Sequence, residues 1–388
     1  MPDKLPQIDV CIVCALAEEA KAFIEVVSEY APASFEAKIS LLHGYDYRFT
    51  TIQNIKGELL TLHVSWLPRY GPLQMAVHLS HVLEEYQPRF AAMTGICAGD
   101  KNHVALGDLV VAERTFIYDS GKFVLSEDGQ VAHEHDTATY QLDENILRFV
   151  HLFDQWKPLV KQLNRPSQSK RQQRDWLLNR TFDEQPPSVK KIPLPERNLY
   201  APDWQKIVRE LQRGSDPLLT ASMILKRKSR IAEMRHDKGL FPFMDPPEAR
   251  CFIKPMASGS AVRSDAPFKD IQAPVRGTVA IDMEGASFCA VMSRFPYMRW
   301  LVVKGVSDYA DIDKDDTYHD YASRASAAYA LRFLQHYVTE ERIPLLRDQQ
   351  QKSISKQTVI QAKKKGIAIN TMHGNIYQFG GTRSDDEN

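Results

Sequence analysis

The chain has 388 residues, of which 43% are hydrophobic and 25% are charged, and its formal net charge at pH 7 is zero. This composition is typical of a soluble globular protein with a large core, and it argues against domain-scale disorder. Zero net charge provides no overall attraction to nucleic acid or to an anionic membrane, so we expect neither as a partner. Because no apolar run approaches the ~18 residues of a membrane span and the first residues lack a signal-peptide pattern, we expect a cytoplasmic protein.

Cysteine usage indicates a reduced protein without a disulfide framework. The five cysteines are odd in number and mostly lie in apolar stretches. Cys11 and Cys14 have the spacing of a redox or zinc motif, but side chains three residues apart on a strand point to opposite faces, which favours two core thiols. No cluster of histidine, cysteine and aspartate has ligand spacing, so we expect neither a metal nor a cofactor.

Strands and helices alternate along the first part of the chain. Apolar runs and their periodicity predict, in order, a strand at 8–15, a helix at 18–30, paired strands at 45–53 and 58–66, a helix at 72–85, and strands at 89–94 and 109–112. Such alternation indicates a three-layer α/β domain, in which helices cover a central sheet.

Two carboxylates follow short apolar runs in the second half of the chain. Residues 279–283 and 300–306 are β-branched runs that precede Glu284 and Asp308, with a helix-compatible segment between them. The pattern predicts two neighbouring strands, and parallel strands would end at the same sheet edge, where ligands bind in α/β proteins. Glu284 and Asp308 would then face one cleft, although each is also suited to capping the element that follows it.

The interval from 150 to 250 differs in composition from the rest of the chain, and we expect a basic insertion there. Between 160 and 200 there are nine lysines and arginines against four acids. Such a run is commonly a solvated face or loop, and it also suits a cationic lid over a polyphosphate substrate.

The C-terminal part divides into three segments. Residues 317–338 have the periodicity of a long amphipathic helix, and 339–365 are polar, as in a linker or surface helix. Residues 366–388 mix β-prone residues with glycine and asparagine, which is compatible with a hairpin or a loose tail. Their composition also resembles the short amyloid-like signalling motifs of some bacterial immune effectors, through which an upstream signalling partner would act, because asparagine-containing strands stack between chains.

Four segments together resemble the superfamily of nucleoside phosphorylases and methylthioadenosine/adenosylhomocysteine nucleosidases. They are IVCALAEEAKAF at 12–23, PRFAAMTGICAGD at 88–100, LGDLVVAERTFIYDSGK at 106–122, and IDMEGA with VKGVSDYAD within 281–311. The resemblance implies an α/β, three-layer nucleoside phosphorylase-like fold, with a central mixed β-sheet flanked by helices, to which the basic insertion and a C-terminal extension are added. The catalytic domain would span 1–338, and a homo-oligomer is expected.

The resemblance also implies separate roles for the carboxylates. Asp308 matches the acid that protonates purine N7, oriented by Ser307, and a carboxyl group in a closed, partly apolar site can hold that proton near neutrality. Glu284 matches the residue that binds the ribose hydroxyls, with Met283 packed on the sugar. Glu19 matches the base that activates water. The glutamate before it is the alternative, and both also suit the first turn of a helix.

Gly95 and Ile96 lie in a glycine loop whose backbone N–H groups a ligand can approach. Neither a dinucleotide-binding nor a P-loop fingerprint occurs in the chain. Phosphorylases of the superfamily have an arginine just before this glycine to hold orthophosphate, whereas Met93 occupies that register here. The departure favours hydrolysis over phosphorolysis, with Arg69 or a partner subunit as the alternative source of a phosphate ligand.

Three further residues are candidates for substrate binding. Val262 occupies the region where the nucleosidases carry an aromatic residue that contacts the base, which puts base stacking of the familiar form in doubt. Arg263 and Lys304 add positive charge near the predicted cleft, although pairing with acids such as Asp265 or Asp282 is the commoner arrangement for such residues.

These features favour a purine N-ribosyl hydrolase that cleaves a purine nucleoside or nucleotide. The basic insertion makes ATP worth testing first, and the C-terminal composition suggests a bacterial antiviral effector. The alternatives are a nucleoside phosphorylase, a housekeeping methylthioadenosine/adenosylhomocysteine nucleosidase, and a non-catalytic module that senses nucleotides and assembles through its tail.

Overall fold

The computed structural model describes the chain in blocks, namely residues 7–125, 131–166, 173, 177, 192–213, 248–265, 267–311, 314, 316–343, 369–372 and 375–378. Most of the basic run at 160–200 and of the expected linker at 339–365 lies outside the described residues. The predicted cationic lid in that run therefore stays a prediction.

The strands, in chain order, are β1 (Val10–Cys14), β2 (Glu36–Ile39), β3 (Asp46–Gln53), β4 (Leu59–Trp66), β5 (Phe90–Gly99), β6 (Leu109–Ile117), β7 (Gly121–Leu125), β8 (Val131–His135), β9 (Thr139–Gln141), β10 (Cys251–Ser258), β11 (Ala280–Asp282), β12 (Arg299–Asp308), β13 (Ile369–Met372) and β14 (Asn375–Gln378). The helices are α1 (Ala17–Tyr30), α2 (Pro72–Tyr86), α3 (Glu144–Leu152), α4 (Lys157–Val160), α5 (Leu194–Tyr200), α6 (Trp204–Arg213), α7 (Phe268–Ile271), α8 (Gly285–Met292) and α9 (His319–Tyr337).

A ten-stranded mixed sheet forms the centre of the fold. Its order is β11, β10, β6, β12, β5, β1, β4, β3, β2, with β9 added to β6. In addition, the last two residues of β5 pair with β11, so that β5, β12, β6, β10 and β11 close into a ring. The predicted mixed α/β fold is confirmed, and the closed ring is the part of it that surrounds the candidate site.

Two groups of helices flank the sheet. α1 packs beside α9, and these two helices cover β1, β5 and β12, while α2 packs against α8, which reaches β6 and β10. The main hydrophobic core lies between the helices and the sheet, because both faces of the central strands are buried. Among the described residues, no helix is both long enough and apolar enough to cross a bilayer.

The predicted elements are present, but the relation between the two acid-bearing strands was predicted wrongly. β11 and β12 are not neighbours, since each pairs with β5, β12 in parallel and β11 antiparallel. β11 has only three residues, so its partners are fixed by closure of the ring and not by local sequence. The two acid-bearing strands therefore lie on opposite sides of β5, whose Ala98 pairs with both Asp308 and Ile281.

The described part of the C-terminal segment is an antiparallel pair. β13 and β14 form a two-stranded sheet of their own, with Thr371 opposite Ile376. Of the two arrangements left open for residues 366–388, the hairpin is the one found over these eight residues. Self-assembly through this hairpin stays a prediction.

Candidate active site

Asp308 is the last residue of β12 and follows a bulge in that strand. The register between β12 and β5 shifts between Val306 and Asp308, which leaves Ser307 as the extra residue. The Ser307 hydroxyl donates to Asp308 Oδ2 at 3.0 Å, and the N–H of Ala310 donates to Oδ1 at 2.9 Å. Both acidic oxygens are thus held in place, and the hydroxyl contact is the one that an orienting role for Ser307 requires.

Glu284 lies at the junction of β11 and α8 and is buried. Its Oε1 accepts a hydrogen bond from the N–H of Gly71 at 2.7 Å. Although Glu284 occupies the N-cap position, its side chain does not cap the helix. That task falls to Asp282, whose two carboxylate oxygens accept from the N–H of Gly285 at 3.0 and 3.1 Å. The Glu284 carboxylate is therefore not committed to helix capping.

Asp282 and Ser258 fix the start of α8, the helix that follows Glu284. The Ser258 hydroxyl donates to Asp282 Oδ1 at 2.6 Å and accepts from the N–H of Ala286 at 2.8 Å. Because Ser258 lies opposite Asp282 on the parallel strands β10 and β11, the first turn of α8 is fixed to the sheet. Neither residue was among the predicted site residues. The sequence could have indicated Asp282, because it lies two residues before Glu284 and therefore on the same face of an extended chain.

Glu19 lies in the first turn of α1 and is buried, whereas Glu18 is exposed. Glu19 Oε2 accepts from the N–H groups of Ala15 at 2.8 Å and Leu16 at 3.0 Å, so the helix-capping alternative is realised. Its other oxygen, Oε1, accepts from the N–H of Ile96 at 2.8 Å. A carboxylate oxygen offers about two acceptor positions, so Oε1 retains one for a water molecule.

Gly95 makes room for the Glu19 carboxylate. Its φ is +143°, in a region open mainly to glycine, and a Cβ atom at this position would lie 2.0 Å from Glu19 Oε1. The prediction of a glycine loop was wrong here, because Gly95 and Ile96 lie within β5, and the space beside Gly95 is filled by Glu19. Ile96, which follows, contributes its backbone N–H to the same carboxylate.

Lys304 is buried among the acids. Its ammonium lies 3.9 Å from Glu19 Oε1 and 3.7 Å from Asp282 Oδ2, so the expected alternative of pairing with Asp282 is present. Burial by itself would lower the pKa of Lys304, but the charges of Glu19, Asp282 and Glu284 outweigh it and raise that pKa above its usual range. No group of three or more His, Cys, Asp or Glu side chains in the described blocks could hold a metal ion.

The charged groups meet around Cys97, on β5. Burial raises the pKa of this thiol, and the negative charges of Asp282, Asp308 and Glu19 raise it further, while Lys304 lowers it. Cys97 therefore interacts with acids from α1, β11 and β12 at once. Glu19 and Asp308 therefore both lie near Cys97. Glu284 in addition has electrostatic interactions with Asp282, Lys304 and Glu19.

The protonation of Glu284 is shifted into the physiological range. Burial raises the pKa of this carboxyl to about 7, and the negative charge of Asp282 adds to the rise. Lys304 and the hydrogen bond from Gly71 act in the opposite direction. Such shifts are commoner at functional sites than elsewhere.

The remaining predicted substrate-binding residues are less deeply buried than the three carboxylates. Met283 is partly buried between Asp282 and Glu284. Val262 is 59% exposed, on the loop that follows β10. Arg263 forms two hydrogen bonds to Asp265, at 2.7 and 2.6 Å, which is the alternative expected for it from the sequence.

Met93 and Arg69 bear on the choice between water and phosphate as the nucleophile. Met93 is fully buried in the main core, on β5 between β1 and β12. Arg69 is exposed on the loop that leads to α2. The register that holds arginine in phosphorylases is therefore part of the apolar core.

Comparison with known proteins gives one family-model match over part of the chain and several distant similarities. The chain is 22% identical over 333 residues to "Uncharacterized protein y4jS" of Sinorhizobium fredii (strain NBRC 101917 / NGR234), covering 84% of this chain and 61% of that protein. The chain thus spans less than two thirds of the length of this relative.

Solved structures are similar at low sequence identity. The Streptococcus pneumoniae MTA/SAH nucleosidase in complex with 8-aminoadenine has a TM-score of 0.47 and 15% identity, with 84% of this chain and 99% of that chain covered. The futalosine hydrolase of Helicobacter pylori strain 26695 has a TM-score of 0.46 and 13% identity, with 84% and 97% covered.

A family model matches the first part of the chain. The model described as the Phosphorylase superfamily matches residues 9–153, a range that contains Glu19, Gly95 and Ile96. The match confirms, over that range, the resemblance to the nucleoside phosphorylase superfamily that the sequence motifs predicted.

Proposed function

We propose that the protein is a purine N-ribosyl hydrolase. The observation that carries the proposal is the placing of three buried carboxylates, Glu19, Glu284 and Asp308, on separate elements around one end of β5. Three acids with different partners suit three roles, since a glycosidic bond breaks most readily when the base is protonated, the sugar is held and water is activated. The superfamily match of residues 9–153 supports this assignment.

In the proposed reaction, the Asp308 carboxyl gives its proton to N7 of the purine. The bond between N9 and C1′ breaks, N9 keeps the electron pair, and the base leaves as a neutral molecule. Glu284 accepts hydrogen bonds from the two ribose hydroxyls and stabilises the positive charge that develops at C1′. Glu19 takes a proton from a water molecule, whose oxygen bonds to C1′.

Water is proposed as the nucleophile in preference to phosphate. Met93 fills the register of the phosphate-binding arginine and lies in the core. The buried Lys304, on the neighbouring strand β12, is shared between Glu19 and Asp282. Both observations favour hydrolysis, because neither residue offers an uncompensated positive charge to orthophosphate.

The proposed substrate is a purine nucleoside or nucleotide, with ATP the first to test, and the proposed role is that of a bacterial antiviral effector. The basic composition of residues 160–200 and the hairpin β13–β14 support this extension. Under it, the hairpin couples an upstream signal to assembly, and the enzyme removes nucleotides once assembled.

Release of free base is the measurement that tests the proposal. Purified protein would be incubated with ATP, AMP, adenosine, inosine and methylthioadenosine, with and without phosphate, and the base followed by chromatography. We expect base release without phosphate. A strict need for phosphate would indicate a phosphorylase, and no release under any condition, including after forced assembly, would indicate a nucleotide sensor.

Replacing Asp308 tests the proposed acid. We expect Asp308→Asn to lower kcat by about 10²- to 10⁴-fold with little change in thermal stability, because a positioned proton donor contributes that much. Asp316→Asn is the matched control, since that side chain is 84% exposed and pairs only with a neighbouring helix residue among its described contacts. Retained activity of Asp308→Asn would remove Asp308 from the mechanism.

A further inference from the structure

Lys314 places an ammonium beside the proposed acid. Its Nζ lies 3.5 Å from Asp308 Oδ2, and its side chain is 35% exposed whereas that of Asp308 is 5% exposed. The buried Lys304 differs, because it is enclosed by two acids and is almost inaccessible. Lys314 therefore lies at the rim of the site, where it reaches both the acid and solvent.

The Lys314 ammonium lies beside Oδ2, one of the two oxygens of the proposed acid. Oδ1 already accepts from the N–H of Ala310, and Oδ2 accepts from the Ser307 hydroxyl. With about two acceptor positions on each oxygen, one position remains on Oδ1 and one on Oδ2, and an ammonium beside Oδ2 competes there with the proton that N7 receives. Movement of the ammonium away from Oδ2 therefore makes this oxygen accessible to the purine.

The chemistry of a nucleotide supplies an anion that can draw Lys314 away. In a purine nucleotide with the base anti to the sugar, the edge that carries N7 lies on the same side as C5′ and its phosphate. An acid that faces N7 thus has the 5′-phosphate near it. Lysine suits this exchange, because its ammonium is a compact charge on a flexible four-carbon stem and binds phosphate strongly.

We propose that Lys314 is a substrate-selecting residue that leaves Asp308 to bind the 5′-phosphate of a purine nucleotide, an inference that rests on the proposed hydrolase function. Nucleotides then gain a contact between their 5′-phosphate and Lys314 that nucleosides lack. The same movement of Lys314 makes Asp308 accessible to N7 of the purine. Lys101 adds a second ammonium at this rim, since its Nζ lies 3.5 Å from Oδ2 of Asp311, three residues after the acid. Two rim ammonium groups suit a substrate with more than one phosphate.

The ratio of kcat/KM for ATP to kcat/KM for adenosine is the quantity that tests the inference. We expect Lys314→Met to lower this ratio by about 10- to 100-fold, the usual contribution of a hydrogen bond to a charged group. Lys314→Arg should retain most of the ratio. Lys21→Met is the control, because it removes an ammonium from an exposed pair within α1 and should leave the ratio unchanged.

An unchanged ratio in Lys314→Met, or an equal loss for both substrates, would overturn the inference, because a merely structural lysine affects both alike. Failure of the proposed function is recognised separately, as absence of base release from wild-type protein. In that case, calorimetric Kd values for AMP and adenosine test Lys314 without turnover. Equal weakening of both ligands in Lys314→Met, or no weakening of AMP, would again contradict it.

Discussion

At the scale of one residue, the proposed sugar-binding role of Glu284 would link substrate binding to pH. Burial raises the pKa of its carboxyl to about 7, above the ordinary value of 4.5, and Asp282 contributes in the same direction. For an acid whose pKa is raised by folding, the neutral form is favoured in the folded protein between the two values, so stability decreases as pH rises through this window. The ribose hydroxyls, however, bind the ionised form better.

We therefore expect KM to rise as pH falls below about 7, by about tenfold for each pH unit, because one proton must leave Glu284 when the sugar binds. Steady-state kinetics from pH 5.5 to 8.5 would measure this. Glu284→Gln should bind weakly at every pH and show no such dependence. A wild-type KM that is flat across this range would contradict the role of Glu284 as the sugar ligand.

Gly95 provides a second prediction at the residue scale. In Gly95→Ala the added methyl would overlap Glu19 Oε1, so the carboxylate must move and kcat should fall by at least tenfold. Gly277→Ala is the control, since its φ is +82° and its Cβ would meet nothing within 4 Å. If both variants lose the same activity, backbone strain and not the position of Glu19 is responsible.

At the scale of elements, the junction between β11 and α8 determines where the Glu284 side chain lies and leaves its carboxylate free of helix capping. The sequence motif IDMEGA identified the acid, and strand and helix patterns located both elements. The sequence could not show that Asp282, and not Glu284, caps α8, because both acids suit that position equally. Nor could it show the Ser258 contact, which depends on the pairing of β10 with β11.

Asp282→Asn tests this junction. Asparagine keeps the shape and the acceptor for Gly285 but removes the negative charge that helps to raise the pKa of Glu284. We expect the pH at which KM begins to rise to move below 7, with the fold retained. Asp270→Asn, at an exposed position in α7, should leave the profile unchanged. An identical profile for Asp282→Asn would show that Asp282 acts only on the helix.

At the scale of the whole molecule, local patterns predicted the elements but not their order in the sheet. β5 and β6 extend beyond the predicted runs, to Gly99 and Ile117. The predicted runs ended too early because the second halves of these strands contain glycine or charged residues, which are typical of loops. The antiparallel contact of β11 with β5 joins residues far apart in sequence, and no local signal specifies it. The wrong prediction that β11 and β12 are neighbours follows from this.

The C-terminal hairpin gives a prediction for the whole chain. If it mediates assembly, Ile376→Pro should abolish concentration-dependent assembly, because proline removes a backbone donor from β14, while Ile376→Val should retain it. Sedimentation and electron microscopy would measure assembly, and base release that depends on assembly should be lost with it in Ile376→Pro and kept in Ile376→Val. Assembly that persists in Ile376→Pro would assign it to another surface.

Closure of the ring formed by β5, β12, β6, β10 and β11 couples the unfolding of these five strands. A strand in an open sheet can detach from an edge, but each strand of this ring is bonded on both sides, so opening one releases its two neighbours. Ile96, Lys304 and Asp282 lie on three of these strands. Their amide hydrogens should exchange with solvent at a common rate, set by one cooperative opening of the ring.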